Sequence, residues 1–99
     1  LINRYLPGDR MTSHQDKNEG SFEQPVVTIS TGLPATFQVF GEQRGGTPVN
    51  IPVYDGDVMV MGGAARLWFH GVKKLAGPAT DARPHRISLT FRYASNIRR

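Results

Sequence analysis

The chain has 99 residues, of which 38% are hydrophobic and 20% charged, and its formal net charge is +4 at pH 7. This length fits a single small domain, residues 1–99, with a modest core and room for one active site. Cysteine is absent, which excludes disulfides and thiolate metal sites and leaves His, Asp and Glu as metal ligands. No apolar run approaches the roughly 18 residues that span a bilayer, and no signal peptide is visible, so we expect a cytoplasmic protein.

Short segments rich in β-branched and aromatic residues follow one another along the chain, separated by 11 glycines and 7 prolines. This composition is typical of strands, and no long apolar stripe of helical period interrupts it. Many short strands with frequent turns predict an all-β sandwich or barrel. The predicted strands are 1–5, 26–31, 35–40, 50–54, 57–61, 66–70 and 86–93, and a tight turn is predicted at Asp55-Gly56-Asp57.

The first candidate site lies between the first two predicted strands, where His14-Gln15-Asp16 places an imidazole and a carboxylate two residues apart. In an extended segment both side chains point the same way, so they can occupy adjacent positions on one metal. A third ligand must come from elsewhere, and we favour His70, at the end of an aromatic strand, over His85 in a predicted loop. Two histidines and one carboxylate form the facial triad of non-haem Fe(II) oxygenases, although structural histidines remain the alternative.

The last predicted strand alternates between apolar and polar residues. Side chains two apart share a face, so Ile87, Leu89, Phe91 and Tyr93 lie opposite Arg86, Ser88, Thr90 and Arg92. The polar face could lie in water, as in an ordinary amphipathic strand, or it could bind a ligand. The positive net charge leaves a similar choice between solubility and a phosphate-bearing partner.

Several blocks, spread over essentially the whole chain, resemble the AlkB dioxygenases in order and spacing. The most specific combination is the H-x-D of residues 14–16, the distant His70-Gly71 and the closing R-x5-R of Arg86 and Arg92. The other blocks are residues 1–8, 32–35, 56–58, 62–63 and 66–67. The resemblance implies a double-stranded β-helix, or jelly roll, that holds Fe(II) on His14, Asp16 and His70.

The resemblance also implies a 2-oxoglutarate site. Arg86 would pair with the distal carboxylate of this cosubstrate as a bidentate fork, and Arg92 would support its carboxylate and keto end. Asn3, Tyr5 and Ser88 would complete the site. The family reaction uses O2 and 2-oxoglutarate to hydroxylate the N-alkyl carbon of a damaged base, and it releases succinate, CO2 and an aldehyde.

On the substrate side, the resemblance implies contacts with alkylated DNA, or RNA, from Lys17, Asn18, Glu19, Arg44 and Met61. Asn18 stands where bacterial relatives often have a second carboxylate, and Met61 stands where an aromatic often precedes Gly-Gly. We expect a monomer that is a piece of a longer protein and lacks the family's N-terminal nucleotide-recognition lid and helices. A 2-oxoglutarate-dependent hydroxylase of proteins, lipids or metabolites and a non-catalytic jelly-roll module remain alternatives.

Overall fold

The computed structural model describes residues 1–16 and 24–92, which form two antiparallel sheets. The first sheet has the strand order β1-β8-β3-β6 and the second the order β2-β7-β4-β5. Side chains from both sheets meet in one hydrophobic core, which includes Tyr5, Phe37, Met61 and Val72. The all-β prediction is confirmed. The strands are β1 Ile2–Tyr5, β2 Met11–His14, β3 Val26–Gly32, β4 Ala35–Gly41, β5 Val49–Val53, β6 Val58–Met61, β7 Phe69–Val72 and β8 Arg86–Phe91.

Two predictions at the level of strands are wrong or incomplete. The predicted strand 66–70 is a 3-10 helix over Gly63–Leu67, followed by β7. In this helix the amide of Ala65 donates to the carbonyl of Gly62, and the amide of Trp68 donates to that of Ala65. The side chain of Arg66 is buried, and its tertiary contacts stabilise the helix although the residues that follow have a strand-like composition. Strand β2 is absent from the predicted strands, because its polar sequence Met-Thr-Ser-His has no strand signature and pairing with β7 alone extends it.

The predicted turn between β5 and β6 is confirmed. The amide of Asp57 donates to the carbonyl of Tyr54 at 2.9 Å, and the amide of Tyr54 donates to Oδ2 of Asp57 at 2.8 Å. Gly56 has φ +90°, a conformation that costs glycine little and other residues more. The turn also reaches β3, because Oδ1 of Asp55 accepts the amide proton of Gly32 at 2.8 Å.

The polar face of β8 points into the molecule. Arg86 and Ser88 are only 2% and 4% exposed, whereas Phe91 on the other face is 56% exposed. The possibility that the polar face lies in water is therefore wrong. Burial of a charged residue is costly unless a partner meets it, so the inward orientation indicates a polar interior between the sheets.

The outer face of the first sheet is correspondingly apolar. Across its four strands, the register aligns Ile2 with Leu89, Leu89 with Ile29, and Ile29 with Val58. Antiparallel sheets commonly turn their polar side to water, and here the alternation is reversed. Among the described residues, no helix is long and apolar enough to cross a membrane.

Candidate metal and cosubstrate site

Strands β2 and β7 bring two histidines to one place. His14 at the end of β2 pairs in register with His70 on β7, and a register shift between Met11 and His14 marks an irregularity in the ladder. Such a bulge re-aims the side chains that follow it. The two imidazole centroids lie 4.4 Å apart. Gly71 allows this approach, since a Cβ there would lie 2.6 Å from the carbonyl oxygen of Met11.

Both imidazoles are oriented by main-chain carbonyls. Nδ1 of His14 lies 2.9 Å from the carbonyl of Thr12, and Nδ1 of His70 lies 3.0 Å from that of Trp68. When Nδ1 donates its proton to a carbonyl, the Nε2 atom is the one available to a metal. Phe37 stacks against His70, with ring centroids 5.4 Å apart, and holds that ring further in place.

Asp16 completes the cluster from the segment that follows β2. Its Oδ2 lies 3.2 Å from Nε2 of His70, and its Oδ1 lies 4.0 Å from Nε2 of His14. One ligand atom from each of the three residues lies within 4.8 Å of the others, which is close enough to hold one metal ion. If the two histidines were only structural, these three side chains would not need to converge. Their convergence therefore favours a metal site over a non-catalytic module.

The electrostatic surroundings keep Asp16 ionised. The hydrogen bond with His70 is the largest influence that lowers the pKa of Asp16, and electrostatic interactions with His70, His14 and Arg92 lower it further against the opposing effect of burial. Nη1 of Arg92 donates to Oδ1 of Asp16 at 3.2 Å. A carboxylate held in its charged form is the state that binds a cation.

A second charged group, Arg86, occupies the same cavity. The cavity has a volume of about 390 Å³ and is lined by the three side chains of the cluster together with Asn3, Tyr5, Arg86 and Ser88. Burial lowers the pKa of Arg86, and the electrostatic interaction with Tyr5 opposes this effect. Among the described residues, neither Nε nor Nη1 of Arg86 has a hydrogen-bond partner. A buried guanidinium that lacks partners for two of its nitrogens indicates a cavity arranged for an anion.

Tyr5 lies beside this guanidinium, with its ring centroid 5.6 Å from the Arg86 Cζ atom. Burial raises the pKa of Tyr5, and the positive charge of Arg86 and a hydrogen bond to Ser88 oppose that rise. The residues expected from the sequence to bind 2-oxoglutarate therefore line one cavity with the histidine and aspartate cluster. They are Asn3, Tyr5, Arg86, Ser88 and Arg92.

The raised pKa of Tyr5 predicts a loss of stability in alkali. Below pH 10.0, the usual pKa of tyrosine, the phenol is neutral in both folded and unfolded chains. As pH rises from there to the folded pKa, only the unfolded chain ionises, so the free energy of unfolding falls. Urea unfolding below and above pH 10 measures this fall, which we expect to be shallower for Tyr5→Phe than for the wild type. Tyr54→Phe, at a side chain 57% exposed, should lose as much stability with rising pH as the wild type does. A wild-type slope in Tyr5→Phe would contradict the prediction.

The residues expected to touch the substrate lie apart from the cavity or outside the described part of the chain. Arg44 is exposed beside the cluster, where Nη1 donates to the carbonyl of Ser13 at 2.8 Å and the guanidinium lies 4.9 Å from the Phe69 ring centroid. Met61 is 8% exposed and packs in the hydrophobic core. Lys17, Asn18 and Glu19 lie outside the described residues.

Several residues that line the cavity are not identified by the sequence patterns. Thr28 on β3 pairs in register with Thr90 on β8, and both reach the cavity. Gln15 and Phe37 line it as well. Strand alternation does place Thr90 on the same face as Arg92, but Thr28 and Phe37 come from strands whose neighbours only the sheet topology defines.

Comparison with known proteins identifies the family. Residues 1–92 match the 2OG-Fe(II) oxygenase superfamily. The alpha-ketoglutarate-dependent dioxygenase AlkB of Salmonella typhimurium is 43% identical over 96 residues, which are 96% of this chain and 44% of that protein. The AlkB protein of Escherichia coli is 44% identical over 95 residues, with 95% of this chain and 44% of that protein covered. The chain thus spans less than half the length of these curated relatives.

A solved structure supports the same assignment. The structure of OsALKBH1 superimposes with a TM-score of 0.82 at 31% sequence identity, and the match covers 93% of this chain and 48% of that one. The expected double-stranded β-helix is therefore confirmed, with the two sheets described above as its layers. The chain belongs to the 2OG-Fe(II) oxygenase superfamily, and within it to the AlkB-type dioxygenases.

Proposed function

We propose that this chain is the catalytic core of an enzyme that uses Fe(II), 2-oxoglutarate and O2 to remove alkyl groups from nucleic-acid bases. One observation carries the proposal. A cluster of two histidines and an aspartate shares a single cavity with a buried guanidinium, Arg86, that has unsatisfied donors. The cluster suits a metal ion, and the neighbouring guanidinium suits the carboxylate of a cosubstrate that also binds the metal.

The residues present fit Fe(II). His14, Asp16 and His70 offer two imidazole nitrogens and one carboxylate, the donor set of the 2-His-1-carboxylate sites that leave coordination positions open for cosubstrate and O2. We propose these three side chains as the metal ligands. The carbonyls of Thr12 and Trp68 would fix the two imidazoles through Nδ1, as partners behind metal-bound histidines commonly do.

The residues present also fit 2-oxoglutarate. We propose that Arg86 receives the distal carboxylate, and that Asn3, Tyr5 and Ser88 hydrogen-bond the same molecule. Arg92 would hold the end of the cosubstrate nearest the metal while it keeps its contact with Asp16. Buried arginine is costly without an anion to meet it, so this cavity is arranged for one.

When bound, iron, O2 and 2-oxoglutarate together supply a two-electron oxidation of the alkyl carbon, with succinate and CO2 as coproducts. The protein's own part is to hold the reactants in contact and to limit water in the cavity between the sheets. The hydroxylated alkyl group then leaves the base nitrogen as an aldehyde, which is formaldehyde for a methyl group.

Nucleic acid is the proposed substrate. Among further relatives, a protein of Schizosaccharomyces pombe named tRNA demethylase abh1 is 32% identical over 80 residues, and a human protein named nucleic acid dioxygenase ALKBH1 is 31% identical over 86 residues. The net charge of +4 favours a phosphate-bearing partner. We propose that Arg44, exposed beside the cluster, and Lys17, Asn18 and Glu19 contact the substrate strand, whose target base must leave its stack to reach the metal. Met61 is part of the core, so a contact from it would require the side chain to move.

The test combines binding and turnover with a matched pair of arginine variants. The wild type should bind 2-oxoglutarate anaerobically with Fe(II), and in air it should release formaldehyde from methylated single-stranded DNA or RNA. We expect Arg86→Met to weaken 2-oxoglutarate binding at least about 30-fold, since removal of one partner of a buried charge pair costs about 2–5 kcal/mol. Arg4→Met, at an exposed position on the outer face of the same sheet, should leave binding unchanged.

The outcomes separate the alternatives. Formaldehyde release by the wild type and loss of cosubstrate binding in Arg86→Met support the proposal, and the preferred oligonucleotide distinguishes DNA from RNA. Binding of both cofactors without release from either oligonucleotide would favour a protein, lipid or metabolite substrate. A folded wild type that binds neither metal nor 2-oxoglutarate would favour a non-catalytic jelly-roll module.

A further inference from the structure

Arg66 is a buried charged residue that the proposed chemistry does not use. It lies in the 3-10 helix Gly63–Leu67, is 3% exposed, and is the buried residue of that helix. Its guanidinium points toward the segment that carries Asp16. Burial of an arginine is costly, so the contacts that satisfy it indicate what it stabilises.

Two hydrogen bonds of Arg66 go to main-chain carbonyls at separate places. Nη1 donates to the carbonyl oxygen of Asp16, and Nε donates to the carbonyl oxygen of Gln24 at 2.7 Å. These carbonyls flank residues 17–23 in the sequence. One planar guanidinium thus fixes the backbone on both sides of that segment, and its rigid fork suits two acceptors at once.

The backbone at Asp16 needs such a support. Strand β2 ends at His14, whose pairing with His70 is the last of the β2–β7 ladder, so Asp16 lies beyond any sheet hydrogen bond in the described residues. A ligand on unpaired backbone has more conformational freedom than a ligand on a strand. The side chain of Gln15 adds a second attachment, since Nε2 donates to the carbonyl of Leu67 at 2.8 Å.

We propose that Arg66 is a positioning residue for Asp16: it holds the peptide unit of Asp16 so that the carboxylate faces His14 and His70. This inference rests on the proposed metal site. Sequence patterns do not distinguish the 3-10 helix from a strand. In this proposal the helix, through Arg66, holds the backbone of Asp16 beside β7.

Binding of Co(II) by the purified protein, without 2-oxoglutarate or turnover, tests the inference. We expect Arg66→Met to weaken Co(II) affinity by about tenfold to a hundredfold, the range found when partners of metal ligands are removed. The visible spectrum of the Co(II)-saturated variant should also differ from that of the wild type, because the carboxylate is no longer held in place. A residue that only stabilises the fold would lower the melting temperature but leave the spectrum at saturation unchanged.

Two further variants make the result decisive. Arg83→Met removes an exposed arginine whose Nη1 donates to the carbonyl of Gly32 at 2.9 Å, and it should keep wild-type Co(II) affinity and spectrum. Arg66→Lys keeps the charge but replaces the planar fork with a single nitrogen, which cannot take the positions of both Nε and Nη1, so its affinity should lie between those of Arg66→Met and the wild type. If Arg66→Met does not fold, Arg66→Lys alone decides by the same comparison.

Each outcome has one meaning. Weaker binding with an altered spectrum in the Arg66 variants, but not in Arg83→Met, supports the positioning role. Wild-type affinity and spectrum in a folded Arg66 variant overturn that role and leave the proposed metal site intact. No Co(II) binding by the wild type overturns the metal site and the positioning role together.

Discussion

Replacement of His70 by alanine is expected to abolish specific binding of divalent metal and, with it, formaldehyde release. His70 is 6% exposed, is oriented by the carbonyl of Trp68 and by Phe37, and lies 3.2 Å from the carboxylate of Asp16. Its loss leaves two donors, one of which, His14, is on the edge of the cavity. The affinity for Fe(II) or Co(II) should fall by more than about a hundredfold, beyond the range for residues that merely support ligands.

The matched control is His85→Ala, since His85 lies in the segment before β8 and outside the cluster of metal-binding side chains among the described residues. It should bind metal as the wild type does. Thermal melts supply a second readout, because a metal that binds only the folded state raises the melting temperature. Co(II) should raise it for the wild type and His85→Ala and leave it unchanged for His70→Ala. Equal stabilisation of all three proteins would show that the metal binds elsewhere.

Replacement of Gly32 by alanine is expected to have the largest effect on stability. A Cβ at this position would lie 2.1 Å from the carbonyl oxygen of His85, and the φ of +86° is unfavourable for any L-residue with a side chain. The backbone cannot move away easily. The amide of Gly32 donates to Asp55, its carbonyl accepts from Arg83, and the residue pairs in register with Arg86.

We expect Gly32→Ala to lower the free energy of unfolding by at least about 3 kcal/mol, as the sum of the backbone penalty and the steric overlap. Urea unfolding measures this loss. Gly8→Ala is the matched control, because Gly8 has φ +96° but a Cβ added there would have no heavy atom within 4 Å. That variant should lose only the backbone penalty, about 1–2 kcal/mol. Equal losses in the two variants would contradict a role for the close approach to His85.

Much of the fold and of the candidate site is encoded in local patterns. The strand composition and the turn at Asp55-Gly56-Asp57 are local properties, so they predict most of the sheets. His14 and Asp16 are two residues apart, and Arg86 and Arg92 are six apart. In extended backbone such even spacings place both members of a pair on one side, so the sequence alone predicts these pairs. The resemblance in these same residues accounts for the family assignment, which the comparisons confirm.

Other features depend on contacts between segments that are distant in the sequence. Composition alone does not predict β2, which exists as a strand because it pairs with β7. The 3-10 helix at 63–67 is held by Arg66 through carbonyls 42 and 50 residues earlier in the chain, and no local signal predicts such bonds. Alternation in β8 separates two faces but does not indicate which of them is buried.

Most of the strand-forming segments, the H-x-D spacing and the two faces of the last strand can be predicted from local sequence, because each depends on neighbours only a few residues apart. Sheet packing places His70 rather than His85 beside His14 and Asp16, and it turns the face with Arg86 into the cavity. Local sequence does not predict these features, because burial of one face and convergence of distant side chains arise only when the two sheets pack. Their order and register join residues that lie far apart along the chain.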